Sequence, residues 1–248
     1  MKKEFGIYIH IPFCRQKCFY CDFPSFAGRE KKIDKYLQAL EQEFALLRQR
    51  LYPKDNVRDT ESKFAPRTIY IGGGTPTALN AHQMKTLLKI VQKYVAVAEA
   101  EEFTVEMNPG TVDREKLLLL QRAGVNRLSV GVQSFDDHCL QKIGRIHTAQ
   151  DAVNTIELAH NLGFDNISLD LIYGLPQQDR EILTKSVERA LTLPVQHISI
   201  YGLQLEEGTA FQRMADMGKL QLPTDELVET MHDYIVEKLP EAGYQRYE

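Results

Sequence analysis

An α/β fold of parallel βα units is what this sequence predicts, and three observations predict it. Six short runs rich in Ile, Val, Tyr and Phe read as strands. Stretches with helical apolar spacing separate them, and strand alternating with helix is the signature of a parallel sheet. Polar and glycine residues recur where the strand runs stop, the end at which ligands sit in such folds. Two βα units are lacking for a closed eight-stranded barrel, so an open barrel of six or a doubly wound sheet remains.

The elements follow in order. "FGIYIHI" (5–11) is the first strand and runs into Cys14. A helix over 31–51 is read from Ile33, Tyr36, Leu37, Leu40, Phe44 and Leu47, which share one face at 3.6-residue spacing. The polar stretch 52–66, "YPKDNVRDTESKFAP", reads as a surface loop. "RTIYIGG" (67–73) is the second strand and opens into "GGGTPT" (72–77); "EFTVEMN" (102–108) is the third and carries Glu106 and Asn108. "NRLSVGV" (126–132) leads to Gln133 and Ser134, "DNISLDLI" (165–172) carries Asp170, and "QHISIYGL" (196–203) ends near Tyr201. The helices between them, 80–95, 113–124, 148–163 and 179–193, begin at Asn80, Asp113, Thr148 and Asp179, all good N-caps. Gly124 and Gly163 close two of them as left-handed C-caps. A further helix is read over 224–239.

With 248 residues the chain has a length that α/β barrels reach as single domains. Hydrophobic residues at 43% and charged residues at 26% are ordinary for a globular protein. A net charge of −4 argues against a nucleic-acid footprint, and the basic cluster Arg29, Lys31, Lys32 and Lys35 reads as a solvated helix face. The N-terminal run "MKKEFGIYIHIPFC" is broken by His10 and Pro12, has no small-residue cleavage site and is too short to span a bilayer. A cytoplasmic protein without stable membrane insertion is expected. Thiols stay reduced in that compartment, so clustered cysteines suggest metal or redox chemistry.

Three of the four cysteines, Cys14, Cys18 and Cys21, fall in "CRQKCFYC" at C-x3-C-x2-C spacing. Thiolates are soft ligands for zinc, copper(I) or iron–sulfur clusters. A structural zinc site closes its tetrahedron with four protein ligands, and this chain has no second cysteine pair. His10 lies within the first strand and reads as a hydrogen-bonded histidine, while Cys139 in "DDHCLQKIG" reads as a small core residue. A cubane cluster normally takes four thiolates, so three would leave one iron open to a ligand that is not protein. A zinc-containing α/β binding protein is the alternative from another class.

"CRQKCFYC", with Tyr20 just before the third cysteine, resembles the motif of the radical S-adenosylmethionine (SAM) superfamily, and "GGGTP" resembles that family's glycine-rich segment. The resemblance implies a partial, open (β/α)6 TIM-like barrel, a [4Fe-4S] cluster on Cys14, Cys18 and Cys21, and SAM on the open iron. Reductive cleavage of SAM gives a 5′-deoxyadenosyl radical in that family. It further implies that Tyr8 and Tyr20 contact SAM, that Gly73, Gly74 and Thr75 approach its methionyl end, and that Glu106, Gln133, Arg145 and Asp170 complete the pocket. The chemistry agrees with several of these: SAM has an ammonium and a sulfonium for carboxylates, and a carboxylate for Arg145.

"GIYIHIPFCRQKCFYCDF", "IYIGGGTPTAL", "FTVEMNPGT", "GVNRLSVGVQSFDDHCLQKIGRIHTAQDA", "NISLDLIYGLPQQ" and "ISIYGLQLEEGTAF" look like the oxygen-independent coproporphyrinogen III oxidase-like group. Within it the chain is more similar to the heme-chaperone branch than to the oxidase. The oxidase has a further cysteine two positions after the third, where Phe23 stands here, and a longer N-terminal extension. The resemblance thus implies binding of heme or a porphyrin and transfer to a client protein, with radical decarboxylation of coproporphyrinogen III as the alternative. The family continues past "GYQRYE" (243–248), which reads as the first residues of a strand. The expected organisation is a barrel over 1–205 and, over 206–248, the start of an accessory α+β region.

Overall fold

A computed structural model describes residues 5–52 and 63–247. Residues 53–62 of the expected surface loop, and Glu248, lie outside the described residues. The strands are β1 (Gly6–Ile11), β2 (Phe13–Cys14), β3 (Phe26–Ala27), β4 (Thr68–Gly73), β5 (Glu102–Met107), β6 (Arg127–Gln133), β7 (Ile167–Tyr173) and β8 (His197–Gly202). The α-helices are α1 (Ile33–Leu51), α2 (Ala81–Tyr94), α3 (Arg114–Arg122), α4 (Asp137–Lys142), α5 (Ala149–Asn161), α6 (Arg180–Leu191), α7 (Ala210–Asp216) and α8 (Asp225–Glu241).

Six strands form one parallel sheet in the order β1-β4-β5-β6-β7-β8, while β2 and β3 pair separately. Chain order and spatial order agree at every step. A doubly wound sheet would reverse direction at a switch point, so the open barrel is the correct one of the two readings. β1 and β8 occupy the sheet's edges, and the barrel is therefore partial. Central strands of a parallel sheet are buried on both faces and read as near-continuous apolar runs. β6 accordingly is buried at every residue after Arg127, whereas β8 is only partly buried along its length.

The chain divides into two compact units. The first comprises Met1–Arg15, Ser25–Met107 and Thr111–Leu128; the second comprises Gln16–Pro24, Asn108–Gly110 and Ser129–Glu248. In the first, Ile9, Ile11, Ile69, Ile71, Phe103 and Val105 supply the buried strand positions, with Leu37, Leu40 and Phe44 of α1 and Leu87 and Val91 of α2. Phe44 stacks on Tyr94 at a centroid distance of 5.5 Å. In the second unit a cluster of Cys139, Leu140, Ile143, Ile172, Leu175 and Phe211 is covered by Phe19 and Tyr20.

All four expected N-caps are formed. Asn80, Asp113, Thr148 and Asp179 accept backbone N–H bonds from Gln83, Lys116, Asp151 and Ile182, each cap stabilising its helix by about 1 kcal/mol. Arg29, Lys31, Lys32 and Lys35 are exposed, as a solvated face requires. Helices α4 and α7, of six and seven residues, are too short to write an apolar period into the sequence. Residues 244–247, expected to begin a strand, have no regular secondary structure. Side-chain bonds hold this segment instead of a backbone ladder: Tyr244 Oη donates to the Val195 carbonyl at 2.8 Å, and Tyr247 Oη meets His197 Nε2 at 2.6 Å. Among the described residues no helix is long and apolar enough to cross a membrane.

Candidate functional site

In the first unit the loop after β4 is laced to the segment that carries Cys14. Gly74 N–H donates to the Ile11 carbonyl at 2.9 Å and Thr75 N–H to the Phe13 carbonyl at 2.8 Å. Gly74 has to be glycine here: a Cβ would stand 2.8 Å from the Phe13 oxygen and 3.0 Å from Cys14 Sγ. The buried Thr75 turns its Oγ1 to donate to Cys14 Sγ at 3.6 Å. Glu106, near the end of β5, takes Gly73 N–H on Oε2 at 3.0 Å and the Tyr70 hydroxyl on Oε1 at 2.7 Å. Tyr8 is 58% exposed, and its hydroxyl meets His10 Nδ1 at 2.9 Å. Partial burial, with the Glu106 carboxylate, raises the Tyr8 pKa. His10 is thus a hydrogen-bonded histidine, as expected.

A buried lysine stabilises the same loop. Lys116 Nζ donates to the Thr77 and Thr111 carbonyls at 2.9 and 2.8 Å, beside a Thr77–Thr111 hydroxyl pair at 2.6 Å. Sequence reasoning missed Lys116 because a lysine in a helical stretch looks like any solvated helix position. Tyr70 was missed as well, though strand alternation puts it on the face opposite Ile69 and Ile71.

In the second unit the segment with Cys18 and Cys21 is fastened to α4 and the loop after it. Phe19 N–H donates to the Ile143 carbonyl at 3.0 Å, and Gln16 Nε2 to the Gly144 carbonyl at 2.9 Å. Arg145 stands in that loop. Its Nη1 donates to Cys18 Sγ at 3.6 Å, and its Nη2 to Asn108 Oδ1 at 2.9 Å and to the Gly131 carbonyl. Asn108, Gln133 and Arg145 close around Gly131, where a Cβ would lie 3.0 Å from the Asn108 and Gln133 amides. Gln133 is buried with φ of 72°, a backbone conformation that costs a non-glycine residue on the order of 1 kcal/mol. Asp170, mid-strand in β7, adds to the negative surroundings of Arg145.

The electrostatics of this unit centre on a half-buried arginine–tyrosine–thiol group. Burial pushes the Tyr20 hydroxyl far above its ordinary range; Arg145 pulls the other way, and the Cys18 and Cys21 thiols add to the rise. Burial works against the Arg145 charge, but Tyr20, Cys18 and Asp170 outweigh it and the guanidinium is held charged. Its Nε is buried with no hydrogen-bond partner among the described residues.

The predicted site residues are thus gathered in two sets: Cys14, Gly73, Gly74, Thr75, Glu106 and Tyr8 in the first unit, and Cys18, Cys21, Tyr20, Gln133, Arg145 and Asp170 in the second. Among the described residues no group of three or more His, Cys, Asp and Glu side chains stands ready to hold a single metal ion. The donor chemistry nonetheless fits an iron–sulfur cluster. All four cysteines are thiols and not disulfides; Cys14, Cys18 and Cys21 are half-buried, soft ligands. Cys139 is fully buried, and burial pushes its thiol up to about 12, as for an inert core residue.

Comparison with known proteins decides the family. A sequence profile described as the radical SAM superfamily matches residues 8–190. The chain belongs to the radical SAM superfamily. Members of the superfamily bind a [4Fe-4S] cluster and SAM, so the zinc-protein reading is set aside. The chain is 41% identical to "Heme chaperone HemW" of Bacillus subtilis over 97% of its own length and 61% of that protein's. It is 40% identical to "Heme chaperone HemW" of Escherichia coli over 98% of its length and 61% of that protein's. It therefore spans about three-fifths of the curated relatives it matches. Among solved structures, the radical SAM enzyme coproporphyrinogen III oxidase (HemN) of Escherichia coli matches with a TM-score of 0.83 at 28% identity. That match covers 98% of this chain and 54% of the other.

Proposed function

We propose that this chain is the radical SAM part of an iron–sulfur protein of heme metabolism, one that binds heme and transfers it to client proteins. The observation that carries the reading is the 41% identity to a heme chaperone across 97% of the chain. Phe23 supports it, because the oxidase group has a further cysteine at that position and Phe23 is exposed and apolar. Residues 206–248, which hold α7 and α8, are read as the start of an accessory region.

Cys14, Cys18 and Cys21 would hold a [4Fe-4S] cluster that, once bound, supplies an electron to SAM and an open coordination position for it. Glu106 is suited to SAM's ammonium: Tyr70 and Gly73 fix its two oxygens while leaving the carboxylate charge uncompensated by any cation they carry. The close approach of backbone at Gly73, Gly74 and Thr75 suits the methionyl end, since no bulky side chain intervenes. Arg145, held charged and with its Nε left without a partner, would be suited to the SAM carboxylate. Gln133 and Asp170 are suited to ribose hydroxyls, and Tyr8 and Tyr20 to contacts along the nucleoside.

The test uses the full-length protein reconstituted without air. Titration with hemin should give a saturable Soret shift, and bound heme should pass to an apo-cytochrome acceptor. Conversion of coproporphyrinogen III to protoporphyrinogen IX under the same conditions, with no heme transfer, would favour the oxidase instead.

A further inference from the structure

Resemblance assigns both Thr75 and Arg145 to SAM, yet each donates a hydrogen bond to the sulfur of a different cysteine in the motif. Thr75 Oγ1 lies 3.6 Å from Cys14 Sγ, and Arg145 Nη1 lies 3.6 Å from Cys18 Sγ, distances normal for sulfur acceptors. Neither donor is free to swing. Thr75 is 3% exposed, with its N–H bound to the Phe13 carbonyl and its own carbonyl accepting from Ala78 N–H at 2.9 Å. Arg145 is oriented by the Asn108 amide oxygen and the Gly131 carbonyl, both on Nη2, which leaves Nη1 for Cys18. Thr75 lies just past the end of β4 and Arg145 just past the short helix α4, and both bonds are part-buried, not on the open surface.

A hydrogen bond to a cluster thiolate stabilises whichever redox state carries more negative charge on sulfur. Reduction adds one electron and no proton, so each such donor raises the cluster's reduction potential. We propose that Thr75 and Arg145 act through Cys14 and Cys18 as positioning residues that set the potential of the cluster, independently of any contact with SAM. This rests on the reading that the three cysteines hold a [4Fe-4S] cluster. It would set how readily the protein passes an electron to SAM, and so where it stands between a working radical enzyme and one whose SAM cleavage is held back.

The experiment is a dithionite titration of the air-free reconstituted protein, followed by EPR in the absence of SAM. Wild type is compared with Thr75→Val, Thr75→Ser and Arg145→Lys, after iron and sulfide are counted in each. Thr75→Val removes the hydroxyl without altering charge, and its midpoint should move to a more negative potential; Thr75→Ser should restore the wild-type value. Arg145→Lys keeps the charge and loses the planar donor, and it should also shift negative. A Thr75→Val protein with a full cluster and an unchanged midpoint, whose only defect is weaker SAM binding, would overturn the proposal. The Thr75 pair decides alone if Arg145→Lys fails to retain iron. Wild-type protein that takes up no cluster would defeat the ligand assignment itself, and this proposal with it.

Discussion

Tyr70 on β4 donates a hydrogen bond of 2.7 Å to Glu106 on the neighbouring strand β5, and the other carboxylate oxygen takes the Gly73 N–H. The pair orients an anion at the strand ends without neutralising it. If Glu106 receives the SAM ammonium, Tyr70→Phe should weaken SAM binding several-fold, on the order of 1 kcal/mol for one hydrogen bond to a charged group. Glu106→Gln should weaken it further, because the charge is lost as well. Calorimetry on reconstituted protein measures both, and iron content should stay at the wild-type level.

Stability should depend on pH through His147. Burial, with the nearby Arg145 charge, depresses its pKa to about 4, and the neutral ring donates from Nε2 to the Val132 carbonyl at 3.2 Å. An unfolded histidine titrates near 6.5. Between these values the unfolded chain binds the extra proton, so stability rises with pH there and is lost as pH falls from about 6.5 to 4. The contribution is on the order of 3 kcal/mol across the whole window. Urea unfolding at pH 7.5 and pH 5 should show the loss, and His147→Gln should flatten most of it.

Lys116 is buried, and its ammonium serves two backbone carbonyls, Thr77 and Thr111. Burial lowers its pKa, the expected direction for a cation removed from water. Lys116→Met keeps the volume but strands both carbonyls, and it should destabilise the protein by roughly 2–3 kcal/mol. Thermal unfolding measures this. Because Thr77 ends the glycine-rich loop, SAM affinity should fall along with stability.

Much of the architecture was legible because parallel strands and amphipathic helices write their periods into the chain. The caps at Asn80, Asp113, Thr148 and Asp179 mark helix starts by side-chain chemistry that needs no tertiary context. The cysteine spacing likewise sets Cys14, Cys18 and Cys21 apart from the buried Cys139 as candidate ligands. The roles of Tyr70, Lys116 and Asn108 were not legible, because each depends on a partner more than 30 residues away or on a backbone carbonyl that carries no sequence signal. The choice between an open barrel and a doubly wound sheet was equally out of reach, since strand order in space is not written in local pattern. The segment 244–247 shows the reverse failure: strand-like residues held by two tyrosine side chains instead of a ladder.

The most direct measurement is metal and sulfide analysis after air-free reconstitution, with EPR of the reduced protein before and after adding SAM. About four irons and four sulfides per chain are expected, with a spectrum that changes with SAM. That signal should be lost in Cys14→Ala, Cys18→Ala and Cys21→Ala and retained in Cys139→Ala. A cluster that survives removal of Cys18, disappears with Cys139, or ignores SAM would contradict this reading.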